Sequence, residues 1–158
     1  MDITETVNKL KKRFNTLDPE KIAEQLDAII LKVNLPDSTR GFFQLSKRII
    51  VIYINCNLEA IEQRNVLAHE LSHAILHKNM NRIFMDNRTL NVPNRYENQA
   101  NFLAAYMIID DHDARDYIVN GYTYEQISRI TGVKEQFVKQ RIDDYISIHI
   151  HRDNEIYW

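Results

Sequence analysis

The segment Leu67-Ala68-His69-Glu70-Leu71-Ser72-His73-Ala74-Ile75-Leu76-His77 decides how this chain is read. Apolar residues (Val66, Leu67, Leu71, Ala74, Ile75 and Leu76) surround the polar ones, as in a helix buried along much of its circumference. On such a helix His69 and His73 lie about 40° apart around the axis and one turn apart along it. Both imidazoles can then reach one metal ion. Glu70 points about 100° away from His69, off the metal but close to a water held there. Two nitrogen ligands with a carboxylate base form the His-Glu-x-x-His pattern of metal-dependent peptidases. The alternative is a helix with two solvated histidines. The apolar surroundings oppose it, because buried imidazoles need partners. His77 lies one turn further on. Three histidines in line spread too far to converge on one ion, which leaves His77 beside the site or at the helix C-terminus, where a cation suits the dipole.

A hydrolytic zinc site uses three protein ligands and one open position. A second helix, expected over 95–109, supplies the third ligand as Glu97. Asn101 lies one turn on, on the same face, and the small Ala100 and Ala104 allow close helix approach. Asn101 is placed to accept a hydrogen bond from the far ring nitrogen of a ligand histidine and so fix its tautomer. Read alternatively, Glu97 is an exposed first-turn acid favoured by the helix dipole. His112, among Asp110, Asp111 and Asp113, is a second candidate ligand, better read as part of a solvated turn before a short helix ending at Gly121. A thiol-free set of imidazole and carboxylate suits one zinc ion over the hard cations.

The flanking chain reads as helices leading into a small sheet. Ile3, Val7, Leu10 and Phe14 are spaced for an amphipathic helix, and Asp18-Pro19-Glu20 opens a second one over Ile22, Ala23 and Leu26. A strand is expected over 28–33, a turn at Pro36-Asp37-Ser38, and a hairpin of 41–45 with 48–54 around Ser46-Lys47. Asn57 is the expected cap of the histidine helix. The polar stretch 79–94 reads as a long loop able to rim or cover the metal. Thr123-Tyr124-Glu125-Gln126 is a capping box, Gly132 ends that helix, and Phe137, Val138, Ile142 and Tyr145 mark the next. The pair resembles a helix-turn-helix. Its cations Arg129, Lys134, Lys139 and Arg141 are offset by Glu125, Glu135, Asp143 and Asp144, so direct nucleic-acid binding is not expected. Ile146, Ile148 and Ile150 alternate with polar residues, as in a short strand.

With 158 residues, 44% of them hydrophobic, the chain suits one domain, 1–158. Within it, 1–57 carries helices and sheet, 58–109 the metal-site helices, and 110–158 a C-terminal helical segment. The formal charge of −2 gives no general attraction to nucleic acid or membrane. The longest apolar run, Ile49 to Ile54, is too short to span a bilayer, and the N-terminus carries no export signal pattern, so a cytoplasmic location is expected. The single Cys56 excludes an internal disulfide and reads as an inert buried thiol. Nothing fixes the oligomeric state.

The run Ala68 to His77, the strand before it, and Glu97-x-x-Ala100-Asn101-x-x-Ala104-Ala105 resemble the ImmA/IrrE family of zinc metalloproteases. The likeness covers most of residues 18–109, while the terminal helices match more loosely and the family's usual proline after the glutamate helix is here Asp110. The resemblance implies a small α+β zincin-like fold, a sheet of about three strands packed on the His-Glu-x-x-His helix. It implies zinc on His69, His73 and Glu97, with Glu70 taking a proton from the attacking water and returning it to the leaving amine. Short members, encoded by phages and mobile elements, cleave a DNA-binding repressor. The implied partner is therefore a helix-turn-helix repressor, bound as an extended strand along a sheet edge where Gly41 admits another backbone. A non-proteolytic anti-repressor that sequesters this partner is the alternative. Tyr96, Tyr106 and His77 are equal candidates for stabilising the oxyanion.

Overall fold

The computed structural model describes residues 2–78 and 94–154, and among these it forms a small α+β fold with a three-stranded sheet and seven helices. The helix α1 (Ile3–Phe14) is capped by Asp2, whose Oδ1 accepts from the Thr4 N–H at 2.8 Å, and Ile3, Val7, Leu10 and Phe14 all turn into the core. Asp18 caps α2 (Pro19–Gln25), with Pro19 in its first turn.

Three strands follow: β1 (Ile29–Val33), β2 (Gly41–Ser46) and β3 (Ile49–Asn55), in the order β1-β3-β2, with β1 parallel and β2 antiparallel to β3. The hairpin turn is Lys47-Arg48, one residue later than expected. Both residues have positive φ (48° and 71°), as a two-residue turn matching the strand twist requires. Alternation along β3 buries Ile50, Ile52 and Ile54 and leaves Ile49 on the opposite face at 46% exposure. Asn55, buried at the end of β3, ties down the loop before β2. Its Nδ2 donates to the carbonyls of Leu35, Pro36 and Thr39 at 3.2, 3.3 and 2.9 Å. Cys56, expected to be buried, is exposed, because it lies just past the last buried residue of β3.

The helix α3 (Ala60–Leu76) carries the paired histidines and packs on β2, β3 and α4 (Asn94–Ile108). Its cap is Glu59, not Asn57: the Glu62 carboxylate accepts from the Glu59 N–H at 3.2 Å, while Asn57 is engaged with Asn34 at 2.7 Å. The expected loop from residue 79 lies outside the described residues; Asn94 already begins α4. Beyond α4 come α5 (Asp111–Val119), α6 (Tyr124–Thr131) and α7 (Glu135–Asn154). The strand expected near Ile146 is instead part of α7. Alternation in that tail coexists with a helical series, Val138, Ile142 and Ile146, and the latter packs against the core.

Two apolar clusters result. One joins α1, α2, the sheet, α3 and the inner face of α4; the other joins the end of α4 to α5, α6 and α7 through Ala105, Ile109, Val138 and Ile142. Arg141, 1% exposed, fastens them. Its Nε donates to the Ile109 carbonyl at 2.9 Å, its guanidinium pairs with Asp111 at 2.7 Å, and it lies over the Tyr106 ring at 4.2 Å. Among the described residues no helix is long and apolar enough to cross a membrane.

Gly41 shows why β2 can lie so close to α3. A Cβ there would meet the Tyr53 carbonyl oxygen and Val66 Cγ1, each at 2.5 Å. The close approach is made by the protein's own core, rather than by an incoming backbone. Gly41→Ala is therefore expected to destabilise the fold by about 1–3 kcal/mol through overpacking. Urea unfolding checks this, and an unchanged midpoint contradicts it.

Candidate metal centre

The site is built where α3 crosses α4. On α3, residues 66, 70 and 73 share the face toward β2, while 61 and 65 face the turn between α6 and α7, and His69 lies between these two sets. On α4, Glu97, Asn101 and Ala104 share one face, directed at α3. The small side chains at Ala100 and Ala104 let the two helices approach.

Donor atoms from three residues converge there, with one histidine facing each oxygen of the Glu97 carboxylate. His73 Nε2 lies 3.1 Å from His69 Nε2 and 3.1 Å from Glu97 Oε1, and His69 Nε2 lies 3.3 Å from Glu97 Oε2. Neighbouring ligand atoms on a tetrahedral ion, held at about 2.0–2.1 Å, are about 3.3 Å apart. These spacings are close to those around such an ion, and the three residues form a group able to hold a metal. The tautomer fits as well. His69 Nδ1 is 2.9 Å from Asn101 Oδ1, an acceptor, so Nδ1 carries the proton and Nε2 presents its lone pair to the triangle. His73 is held flat against Phe43, with ring planes 13° apart.

The electrostatics call for a cation. The facing ring nitrogens of His69 and His73 hold the Glu97 carboxyl far below the usual carboxylate range. Burial works against charge on His69, yet the Glu97 and Glu70 carboxylates still hold its pKa above the usual histidine value. Burial pushes the Glu70 carboxyl up, against the pull of His69 and His73. Glu70 stands outside the triangle, near the Phe43 backbone N–H, which favours its charged form.

The other sequence candidates fall elsewhere. His77 is the C-terminal cap residue of α3, and its Nε2 is buried without a hydrogen-bond partner among the described residues. Tyr96 packs edge-on against His77 and accepts from Arg95 at 2.8 Å. Tyr106 is 2% exposed under Arg141, in the core rather than in the cleft, and drops out as an oxyanion stabiliser. His112 is in the first turn of α5, its side chain 78% exposed and 3.6 Å from Asp116, in a separate group with Asp110 and Asp113.

A cleft of about 660 Å³ opens onto His69, Glu70 and Glu97. One flank is the entry to β2, Thr39 to Gly41, and the other is Gly132, Val133, Lys134 and Phe137. The second flank escaped the sequence reading. Gly132 was legible as a helix stop (φ 74°), but only the fold brings it against Asn65, whose Nδ2 donates to the Thr131 carbonyl at 2.8 Å. Phe43 escaped too, because a backbone N–H leaves no mark in the sequence.

Comparison with known proteins agrees with this architecture. The family model for the IrrE N-terminal-like domain, a peptidase family, matches residues 23–143. The chain is 34% identical over 131 residues to "Uncharacterized immunity region protein 2" of Bacillus phage phi105, covering 83% of both chains. It is 32% identical over 136 residues to "Metallopeptidase ImmA" of Bacillus subtilis (strain 168), covering 83% of this chain and 78% of that one. A solved "Mycobacterium tuberculosis transcriptional regulator" shares the fold, with a TM-score of 0.58 at 17% identity over 89% of this chain. The chain spans 46% of that protein's length.

The Asn101 contact makes a direct prediction. Asn101→Ala leaves all three donors in place but frees the His69 ring, and is expected to weaken zinc affinity by about 10–100-fold. Competition titration against a chromophoric chelator measures it; unchanged affinity would reduce Asn101 to a packing role.

Proposed function

The chain belongs to the family of IrrE N-terminal-like peptidase domains, and from that premise we propose that it is a zinc-dependent endopeptidase making a site-specific cut in a DNA-binding repressor of a phage or mobile element. The observation that carries the reading is the triangle of His69, His73 and Glu97 donors, 3.1–3.3 Å apart, with the Glu70 carboxylate beside it. These three residues would hold the ion, leaving the cleft side open. When bound, zinc supplies Lewis-acid polarisation of a carbonyl and makes a water more acidic.

The remaining steps belong to the chain. Glu70, its pKa raised by burial, is poised to accept a proton from the attacking water and hand it to the amine that departs. The nearby Phe43 N–H favours the charged form of this carboxylate. Asn101 keeps His69 in the tautomer that presents Nε2.

The substrate backbone is taken to pair with β2, the sheet edge beside the cleft. The Asn55 N–H donates to the Arg40 carbonyl at 2.9 Å. By the antiparallel alternation Gly41, Phe43 and Leu45 then turn their backbone groups away from β3. An extended chain would pair with these backbone groups. A repressor as the substrate is supported by the immunity-region and ImmA names of the two relatives. The domain is taken as one unit, 1–158, with α6 and α7 serving the cleft rather than DNA.

Glu70→Gln is expected to keep the fold and one zinc per chain while lowering the cleavage rate by about 10²–10⁴. The assay incubates zinc-loaded protein with the repressor encoded beside it and locates cuts by mass spectrometry, with and without chelator. One chelator-sensitive cut, lost in Glu70→Gln, supports the proposal. Degradation of many unrelated proteins contradicts its specificity. Release of repressor from DNA in proportion to added protein, with no cut, would replace proteolysis by sequestration.

A further inference from the structure

The two flanks of the cleft differ in charge. On the β2 side the cation Arg40 is paired with Glu62 at 3.2 Å. On the other side Lys134 lines the cleft, and among the described residues its ammonium has neither ion pair nor hydrogen bond. Glu135, the neighbouring acid, lies outside the cleft lining. The acids that do line it are Glu70 and Glu97. Glu97 is already committed to the two histidines, and no ion pair joins Glu70 to Lys134. Lys134 is therefore an unspent positive charge on the wall of the space a substrate would fill.

Its placement is built rather than incidental. The turn that carries it follows Gly132, whose φ of 74° and close approach to Asn65 leave no room for a side chain: a Cβ would lie 2.8 Å from Asn65 Nδ2. The Asn65 amide clamps the turn to α3 one helical turn before His69. Val133 and Phe137 fix it from beneath, both buried in the second apolar cluster. Arg141 in turn anchors α7 to the end of α4. Lys134 thus stands at a fixed place relative to the triangle, with only its own flexible stem left to adjust.

We propose that Lys134 is a specificity-determining residue, selecting substrates that carry an acidic side chain in the segment bound across the cleft. A solvent-exposed lysine discriminates modestly, so the expected preference for Asp or Glu over Asn or Gln is about 3–5-fold, declining with added salt. The inference rests on the peptidase reading for its substrate class, but it can be tested by binding alone. Random dodecapeptides displayed on their own messenger RNA are selected on immobilised, zinc-loaded Glu70→Gln protein, and on the same protein also carrying Lys134→Gln or Lys134→Glu. Circular dichroism checks that each variant folds, and the milder Lys134→Gln carries the test if the reversal does not fold.

Enrichment of Asp or Glu at one position, abolished by Lys134→Gln and turned to Lys or Arg by Lys134→Glu, supports the proposal. The same acidic preference in all three proteins, no charge preference, or no enriched peptide overturns it. If the charge preference follows residue 134 but the wild-type protein cuts none of the selected peptides, this inference stands while the proteolytic reading falls.

Discussion

Two imidazoles and a carboxylate are held within 3.3 Å of one another in a half-buried place that could receive a cation, and the rest of the structure depends on how they are held there. The two histidines come from one helix and the acid from another, so the distance depends on how closely α3 and α4 approach. Small residues on α4 and fully buried leucines, Leu71 and Leu103, set that approach. Truncating such a leucine to alanine usually costs about 2–5 kcal/mol, far more than an exposed ion pair contributes. Packing therefore positions the donors. Their mutual attraction does not create the site; it makes the site receptive to a cation.

The sheet supplies what the helices lack. Its edge strand β2 gives Phe43 twice: the ring lies against His73, and the backbone N–H lies near Glu70. One residue thereby touches both the imidazole proposed to bind the metal and the carboxylate proposed to accept the proton. Gly41, two residues earlier, permits this by letting Val66 of α3 press against the strand. The C-terminal helices close the other side, and Arg141 ties them to the junction after α4.

The local rules were legible where they concern one segment at a time. Periodicity gave α1, the cap at Asp18 follows from its side-chain chemistry, and the spacing of His69, His73 and Glu97 named the group that converges, with Asn101 beside it. Readings failed where two patterns overlap or where a partner lies far along the chain. The tail from Ile146 satisfies both a strand and a helical period, and packing on the second cluster decided for the helix. Asn57 suits a cap as well as Glu59 does, but Asn34 claims it. The cleft wall at Gly132 to Lys134 could not be found without tertiary contacts, because its neighbour Asn65 is 66 residues from Thr131.

The claim at the centre is that one ion sits between His69, His73 and Glu97. X-ray absorption at the zinc edge of the reconstituted protein tests it most directly. The account predicts a four-coordinate ion with two imidazole nitrogens and oxygen ligands at about 2.0–2.1 Å. It further predicts that the Glu97→Ala protein shows a changed first shell while keeping both imidazole signals. A sulfur ligand, which only Cys56 or a methionine could provide, or a spectrum with fewer than two imidazoles, would contradict it.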